Sequence, residues 1–291
     1  PTRLEDAPVY IDYDVSDRIA TITLNRPEAA NAQNPELLDE LDAAWSRAAA
    51  DSEVSVIVLR ANGKHFSAGH DLKGGGPVPD KITLEFIIEH EAKRYLEYTL
   101  RWRNVPKPSI AAVQGRCISG GLLLCWPCDL IVAADDAQFS DPVVLMGIGG
   151  VEYHGHTWEL GPRKAKEILF TGRAMTADEV LSTGMVNRVV PRDRLDTETR
   201  ALAEQIATMP PFALRQAKRA VNQTLDVQGF YAAIQSVFDV HQTGHGNRRD
   251  DPDDRNDDHQ FDEGESLVFA MLYHGSPSID CPGAIQFMSS T

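Results

Sequence analysis

Titratable side chains are dense in one short stretch of the sequence. Glu152, Tyr153, His154 and His156 place four titratable or hydroxyl-bearing side chains within five residues. Carboxylates and histidines transfer protons when burial or neighbouring charges bring their pKa near neutrality. The stretch could therefore supply a general acid and a general base. The alternative is structural: Glu152 could pair with an arginine, and the histidines could cap a helix toward Trp158.

Two glycine-containing turns could stabilise developing negative charge. Gly69-His70 lies in a glycine-rich loop, and Gly120-Gly121 begins a short apolar helix. A glycine turn lets the backbone approach a ligand closely, and a helix start presents free N–H groups with positive potential. Two convergent donors would stabilise a developing oxyanion, each contributing ~3 kcal/mol. The alternative is that both are only tight turns.

Two further motifs favour structural interpretations. Cys125-Trp126-Pro127-Cys128 has the spacing of a redox dithiol, but it ends an apolar run, where cysteine packs as a small hydrophobe. His241 and His245 are four residues apart, yet no acid or cysteine with metal-site spacing accompanies them. We therefore expect buried sulfurs, no metal ion, and histidines at a helix end. A thiol oxidoreductase remains a separate hypothesis, which burial of both sulfurs would exclude.

Strands and helices alternate in the first part of the chain, a pattern typical of α/β architecture. Asn34 and Pro35 have the types expected at the N-cap and first position of a helix. A long helix is predicted from about Ile82 to Trp102, where Pro106 and Pro108 follow it. The predicted strands are Ile19–Leu24, Val54–Leu59, Ile110–Val113 and Leu130–Ala133.

The second part of the chain is predicted to be helical. Thr176 and Glu179 form a capping-box pattern. Further helices are predicted at 194–207, 211–225 and 230–240. From Gly244 the sequence is rich in aspartate, glycine and asparagine, and its ten acids and three bases give it a net charge of −7. So few apolar side chains cannot offset chain entropy. We expect a core at 1–190, a helical region at 191–243, and a disordered or loosely attached tail at 244–291 outside the active site.

Charge and hydropathy exclude several classes of partner. The 291-residue chain has 28 basic and 43 acidic side chains, a net charge of −15, which disfavours nucleic acids and anionic membranes. The longest apolar run, Cys117 to Cys128, is too short to span a bilayer. The first twenty residues lack the apolar core of a signal peptide. We expect a cytoplasmic protein.

Several segments, in this order and spacing, resemble the crotonase (enoyl-CoA hydratase/isomerase) superfamily. They are Ile22 to Ala32, Gly63 to Lys73, Pro106 to Leu130, Ala137 to Ser140, Leu169 to Arg173 and Gly184 to Val190. The resemblance covers roughly Val9 to Val240. It implies a crotonase-like ββα spiral core with a C-terminal helical trimerisation region, assembled as a homotrimer or a dimer of trimers.

The resemblance also implies roles for individual residues. The backbone N–H groups of His70 and Gly120 would form an oxyanion hole for an acyl-CoA thioester, and Ala68 and Lys73 would contact the coenzyme A moiety. A solvated loop position is the alternative for Lys73. Coenzyme A is then part of the substrate, and no metal or organic cofactor is implied. Gly74 to Gly76 is not followed by the Gly-Lys-Ser/Thr of a phosphate-binding loop and is expected to be a mobile segment over the site.

The sequence departs from the hydratases of this family at two positions. Hydratases use two glutamates to activate water, but the matching residues here are Leu123 and Val143, which cannot transfer protons. Other members of the superfamily place a catalytic carboxylate near 152–156, so Glu152 and His154 become the candidates for base and acid. The side chain of His70 is a further candidate.

Three hypotheses about activity follow from these departures. The first is an acyl-CoA enzyme of the hydratase/isomerase type that works through an enolate and hydrates crotonyl-CoA only weakly. The second is a catalytically silent acyl-CoA-binding protein. The third is a conventional enoyl-CoA hydratase, the function that resemblance alone would suggest.

Overall fold

The computed structural model describes residues 9–72 and 84–250. Among these residues, one sheet of six strands forms the centre of the fold. Its strands, in chain order, are β1 Ile11–Ser16, β2 Ile19–Leu24, β3 Val56–Ala61, β4 Ser109–Val113, β6 Leu130–Ala134 and β9 Arg188–Val190. They lie in the order β1-β2-β3-β4-β6-β9, with only the β1–β2 pair antiparallel. The predicted α/β class is confirmed.

Both faces of this sheet are covered. Alternate residues of β2 and β3, such as Ile19 and Val56, pack with Leu202 and Ala203 of the helix Leu195–Ala207. The residues between them face a larger core on the other side. A parallel sheet buried on both faces needs apolar residues at successive positions, and this explains the nearly continuous apolar runs of these strands.

A second, smaller sheet is built from three short strands. They are β5 Arg116–Ile118, β7 Gln138–Ser140 and β8 Met175–Thr176, in the order β5-β7-β8. The sequence did not predict these strands, because two or three residues are too few for a period-2 pattern to be recognised.

The helices carry the caps that the sequence predicts. Their bounds are α1 Pro35–Ala50, α2 Leu84–Glu91, α3 Tyr98–Arg103, α4 Gly120–Cys125, α5 His156–Thr171, α6 Ala177–Thr183, α7 Leu195–Ala207, α8 Pro211–Val227 and α9 Phe230–Asp250. The Leu37 N–H donates to Asn34 Oδ1 at 3.0 Å at the start of α1. Thr176 and Glu179 form the predicted capping box of α6.

A π-helical segment, Ala92–Glu97, joins α2 to α3. The sequence predicts one helix from Ile82 to Trp102, and its described part is helical, but the sequence did not predict the π turn. Such turns occur frequently at functional sites. This one lies between Glu91 and Tyr98, where α2 meets the candidate site.

Helix α9 is longer than predicted. The sequence places its end at Val240 and the start of the tail at Gly244, whereas the helix continues to Asp250. No proline interrupts it before Pro252, and a helical glycine costs only about 1 kcal/mol relative to alanine. The rest of the predicted tail, 251–291, lies outside the described residues. No helix of the described part is long and apolar enough to cross a membrane.

Candidate active site

A network of buried polar groups fixes the loop that precedes His70. Asn31 Nδ2 donates to the carbonyl oxygens of Asn62 at 2.9 Å and His65 at 3.0 Å. Ser67 Oγ donates to the Asn31 carbonyl at 2.9 Å and accepts from the Gly69 N–H at 3.2 Å. The loop is therefore held at both ends, which gives it a defined shape in front of the sheet.

The backbone of His70 runs beside Gln33. The Gln33 N–H donates to the Gly69 carbonyl at 2.8 Å, and the Asp71 N–H donates to the Gln33 carbonyl at 3.0 Å. Because successive N–H groups of an extended chain point in opposite directions, the His70 N–H faces away from Gln33. Gly69 has a φ of +91°, which favours glycine there.

The start of α4 contacts this turn. A Cβ on Gly69 would lie 3.2 Å from the Gly120 nitrogen and 2.8 Å from the Ile118 carbonyl oxygen. The N–H groups of the first turn of a helix have no acceptor within the helix. The two predicted donor turns, Gly69-His70 and Gly120-Gly121, are thus neighbours. Ser119, just before Gly120, has a φ of +44°, an uncommon conformation for a residue with a Cβ.

Asp141 fixes the loop that carries Glu152. Its Oδ2 accepts from the Val151 N–H at 3.0 Å and lies 3.0 Å from His156 Nε2, with both side chains buried. Burial alone would raise the pKa of Asp141, but the hydrogen bonds from His156 and Val151 hold it below its usual value. These contacts hold Val151 and His156 in place, and Glu152 lies between them in the chain.

Glu152 meets His70 in the interior. Glu152 Oε2 lies 3.7 Å from His70 Nε2, and the His70 ring stacks on Tyr95 with 3.8 Å between ring centroids. Glu152 is 5% exposed. Neither Glu152 Oε2 nor His70 Nε2 has a hydrogen-bond partner among the described residues. Both atoms are therefore buried polar groups whose hydrogen-bonding capacity the described residues leave unused.

The two side chains do not form an ion pair. Burial, followed by the charge of Glu91, raises the pKa of Glu152 well above its usual range. Burial lowers the pKa of His70 to about 4. Burial therefore disfavours the charged form of each group, and 3.7 Å is too long for a hydrogen bond. The His70 side chain, the further candidate, thus lies beside Glu152, and its role in proton transfer stays a prediction.

Two residues that the sequence did not assign to the site complete it. His241 Nε2 lies 3.4 Å from Glu91 Oε2 and 3.7 Å from Glu152 Oε1. We interpreted His241 from the sequence as a helix-end residue. That interpretation is wrong, because α9 continues past His241 and brings its ring against the core. The ligand-type atoms of Glu91, Glu152 and His241 lie within 4.8 Å of one another, so a proton or a cation could neutralise the set.

The remaining residues of the dense stretch face elsewhere. The His154 ring lies 4.4 Å from the His156 ring, and burial lowers its pKa to about 4. The His154 ring thus packs against His156, and its role as the acid beside Glu152 stays a prediction. Tyr153 lines a separate cavity of about 450 Å³, which also borders Glu159 and Phe230 and contains none of His70, Gly120 and Glu152.

The other predicted positions are placed as follows. The Ala68 N–H donates to the Ala30 carbonyl at 2.9 Å in the fixed loop, while Lys73 and Gly74 to Gly76 lie outside the described residues. Leu123 is buried in α4 with 1% exposure. Val143 is partly buried in a 3-10 turn, Pro142–Met146.

The structure contradicts the redox hypothesis. Cys125 and Cys128 are 0% and 8% exposed, and burial raises the pKa of both thiols well above the usual range. Cys125 Sγ lies 3.8 Å from Cys117 Sγ. These sulfurs pack in the core, and thiols in such surroundings are inert.

Comparisons with known proteins agree on one family. Residues 14–248 match a family model described as enoyl-CoA hydratase/isomerase. The protein EchA13 of Mycobacterium tuberculosis is 46% identical over 256 residues, which are 81% of this chain and 80% of that protein.

Solved structures agree with the sequence matches. A crystal structure described as a probable enoyl-CoA hydratase from Mycobacterium thermoresistibile is 87% identical, with a TM-score of 0.79, and the match covers 82% of this chain and 97% of that one. An enoyl-CoA hydratase/isomerase from Xanthobacter autotrophicus Py2 is 32% identical, with a TM-score of 0.76 and coverages of 92% and 95%. The crotonase-like fold inferred from the sequence is confirmed, and the chain belongs to the enoyl-CoA hydratase/isomerase family.

Proposed function

We propose that this protein acts on an acyl-CoA thioester through an enolate intermediate, with Glu152 as the proton-transfer group. The observation that carries this proposal is the location of a buried, unpaired carboxyl oxygen beside the contact between the Gly69-His70 turn and the start of α4. The family supports the substrate class. By resemblance, Ala68 and Lys73 contact the coenzyme A moiety, and no metal or organic cofactor takes part.

The chemistry needs one base and one oxyanion site. The Glu152 carboxylate removes a proton from the carbon next to the thioester carbonyl, and the electron pair of that C–H bond moves onto the carbonyl oxygen. That oxygen accepts hydrogen bonds from the backbone N–H groups of His70 and Gly120, a contribution of ~3 kcal/mol per donor. Protonated Glu152 then returns the proton to the substrate. A carboxyl with a raised pKa suits both directions near neutral pH.

Leu123 and Val143 argue against the glutamate-pair mechanism of hydratases. Neither side chain has an ionisable group, so neither can accept a proton from water. We therefore expect proton removal and return, as in isomerisation, to be faster than water addition. Hydration of crotonyl-CoA should fall well below the enzyme median of ~10 per second. These two residues also support the second candidate, a silent acyl-CoA-binding protein.

A panel of acyl-CoA thioesters separates these functions. Each thioester is incubated with the full chain, and mass spectrometry measures water addition and CoA release, while chromatography measures isomerisation. Binding of each thioester is measured in parallel. Glu152→Gln keeps the size of the side chain and should lower turnover by about 100-fold or more with affinity unchanged.

His154→Asn is the comparison variant, since His154 contacts His156 rather than Glu152. We expect it to change turnover by less than about tenfold, because the His154 ring packs against His156. Binding without turnover of any thioester would favour the silent protein. Full activity of Glu152→Gln would contradict the assignment of Glu152, and crotonyl-CoA hydration at ordinary rates would contradict the role given to Leu123 and Val143.

A further inference from the structure

The cluster of Glu91, Glu152 and His241 joins three separate parts of the fold. Glu91 ends α2, Glu152 lies in the loop before α5, and His241 lies in α9. Of these three residues, the proposed enolate mechanism uses only Glu152. A buried carboxylate that a second carboxylate approaches is costly unless positive charge is available nearby. The position of Glu91 and His241 beside Glu152 therefore requires a separate explanation.

The orientation of the His241 ring is fixed by the backbone. Its Nδ1 lies 3.1 Å from the Gly150 carbonyl oxygen. A carbonyl oxygen only accepts, so Nδ1 carries a hydrogen. Nε2 is then the nitrogen that faces Glu91 and Glu152. If Nε2 is unprotonated, its lone pair points at two carboxyl groups, whereas a proton on Nε2 gives a cation between them.

The two oxygens of Glu152 face different partners. Oε1 lies 3.7 Å from His241 Nε2, and Oε2 lies 3.7 Å from His70 Nε2. The oxygen toward His70 is the one without a hydrogen-bond partner among the described residues. The other oxygen, Oε1, faces His241 of α9. A proton can thus leave Oε2 while charge is compensated at Oε1.

We propose that His241 and Glu91 are positioning residues that control the charge of Glu152. His241 presents a protonated Nε2 to the Glu152 anion, and the Glu91 carboxylate balances that cation from the other side. Gln242 Nε2 donates to Glu91 Oε2 at 2.7 Å and holds this carboxylate in place. The catalytic part of this inference, that His241 and Glu91 act during turnover, rests on the proposed function of Glu152. The electrostatic part, that they set the charge of Glu152, does not depend on that function.

Three further elements place titratable groups near Glu152. The π-helical segment supplies Tyr95, the loop after Gly69 supplies His70, and the turn before Pro142 supplies Asp141. Tyr95 stays neutral, because burial and then the charge of Glu152 raise its pKa far above neutrality. Asp141 is already compensated by His156. His241 is therefore the group of this set that can supply positive charge to Glu152.

The sharpest variant is His241→Asn. The asparagine amide can still donate to the Gly150 carbonyl in place of Nδ1, but it has no group in place of Nε2. Asp239→Asn, on the exposed side of α9, is the matched control. Glu91→Gln removes the neighbouring carboxylate, and Glu89→Gln, on the exposed side of α2, is its control.

The readout is the protonation of Glu152 itself. The full chain is labelled with glutamate carrying ¹³C in the side-chain carboxyl group, and the Glu152 signal is identified by its loss in Glu152→Gln. We expect His241→Asn to raise the titration midpoint of Glu152 by about one pH unit or more, because the anion loses its cation. Glu91→Gln should lower the midpoint, and both controls should leave it unchanged.

Two outcomes would overturn the proposal. One is a midpoint that is the same in the wild type and His241→Asn when Gly150 and its neighbours keep their chemical shifts. The other is a wild-type midpoint that shifts with added Zn²⁺, which would show that a metal ion rather than a proton occupies the cluster. Full turnover by Glu152→Gln would refute the proposed function instead and would leave this titration result intact.

Discussion

Gly120 shows how closely the two halves of the site approach each other. A Cβ at this position would lie 2.4 Å from His70 Cδ2 and 3.1 Å from Gln33 Oε1. The His70 ring cannot retreat easily, since it is stacked on Tyr95. The absence of a side chain at residue 120 therefore keeps Gly120 and the His70 ring in close contact.

Gly120→Ala should consequently impair catalysis more than folding. We expect a loss of turnover of about 100-fold, because the His70 backbone and ring must move away from the oxyanion position. Overpacking should cost about 1–3 kcal/mol of stability. Gly149→Ala is the matched control, since nothing lies within 4 Å of the added methyl group there. Steady-state kinetics and thermal unfolding of both variants test this, and equal turnover in the two would refute it.

The sequence revealed some site residues and concealed others for a physical reason. Glu152 was recognisable because titratable groups cluster around it. Glu91, Tyr95 and His241 were not recognised, because each is an ordinary helical residue until the fold brings it to Glu152. His241 lies 89 positions after Glu152, and no local pattern specifies that contact. The spacing of Glu91 and Tyr95, four residues apart on one predicted helix, was the only available signal.

Among the helices and strands, the features that depend on neighbouring residues in the sequence were predicted. Asn34, Thr176 and the glycine at 120 marked helix starts correctly, since a cap depends on residues within one turn. The π-helical segment after Glu91 and the small sheet β5-β7-β8 were missed. Both depend on packing against distant parts of the chain, and neither has a strong signature in the sequence.

Helix α5 carries a partly buried acid that makes stability depend on pH. Burial, opposed by the charge of Arg103, raises the pKa of Glu159 to about 7. The unfolded chain binds this proton with a pKa of ~4.3. The native state therefore holds the proton more tightly, so the stability it contributes is complete below about pH 4 and is lost as pH rises through 7.

Glu159→Gln should remove this dependence. We expect it to raise the free energy of unfolding at pH 8, relative to its effect at pH 5, by about 1–3 kcal/mol. Urea unfolding at the two pH values measures the difference, and Glu53→Gln, at an exposed position, is the control. An effect of Glu159→Gln that is equal at pH 5 and pH 8 would contradict the assignment.

Helix α8 carries exposed apolar side chains. It buries none of its residues in the single chain, and Phe212 and Val221 are 65% and 62% exposed. Large exposed apolar side chains are candidates for contacts between chains. Together with the family resemblance, they support the expectation of a trimer or a dimer of trimers.

Light scattering coupled to size exclusion tests this expectation. The mass should be three or six times the 32.1 kDa of one chain. Phe212→Lys should shift the population toward smaller species, since a charge would be buried at the interface. A monomeric wild type at micromolar concentration would show that the exposed apolar side chains of α8 do not join chains into an oligomer.

The central claim is that the buried Glu152 carboxyl forms and quenches a thioester enolate. Deuterium exchange at the carbon next to the carbonyl of a bound acyl-CoA, measured by mass spectrometry in D₂O, tests it most directly. The wild type should incorporate deuterium, and Glu152→Gln should reduce the rate by about 100-fold or more while binding the same thioester equally well. Exchange at the same rate in both proteins, or no exchange in a wild type saturated with ligand, would contradict the claim.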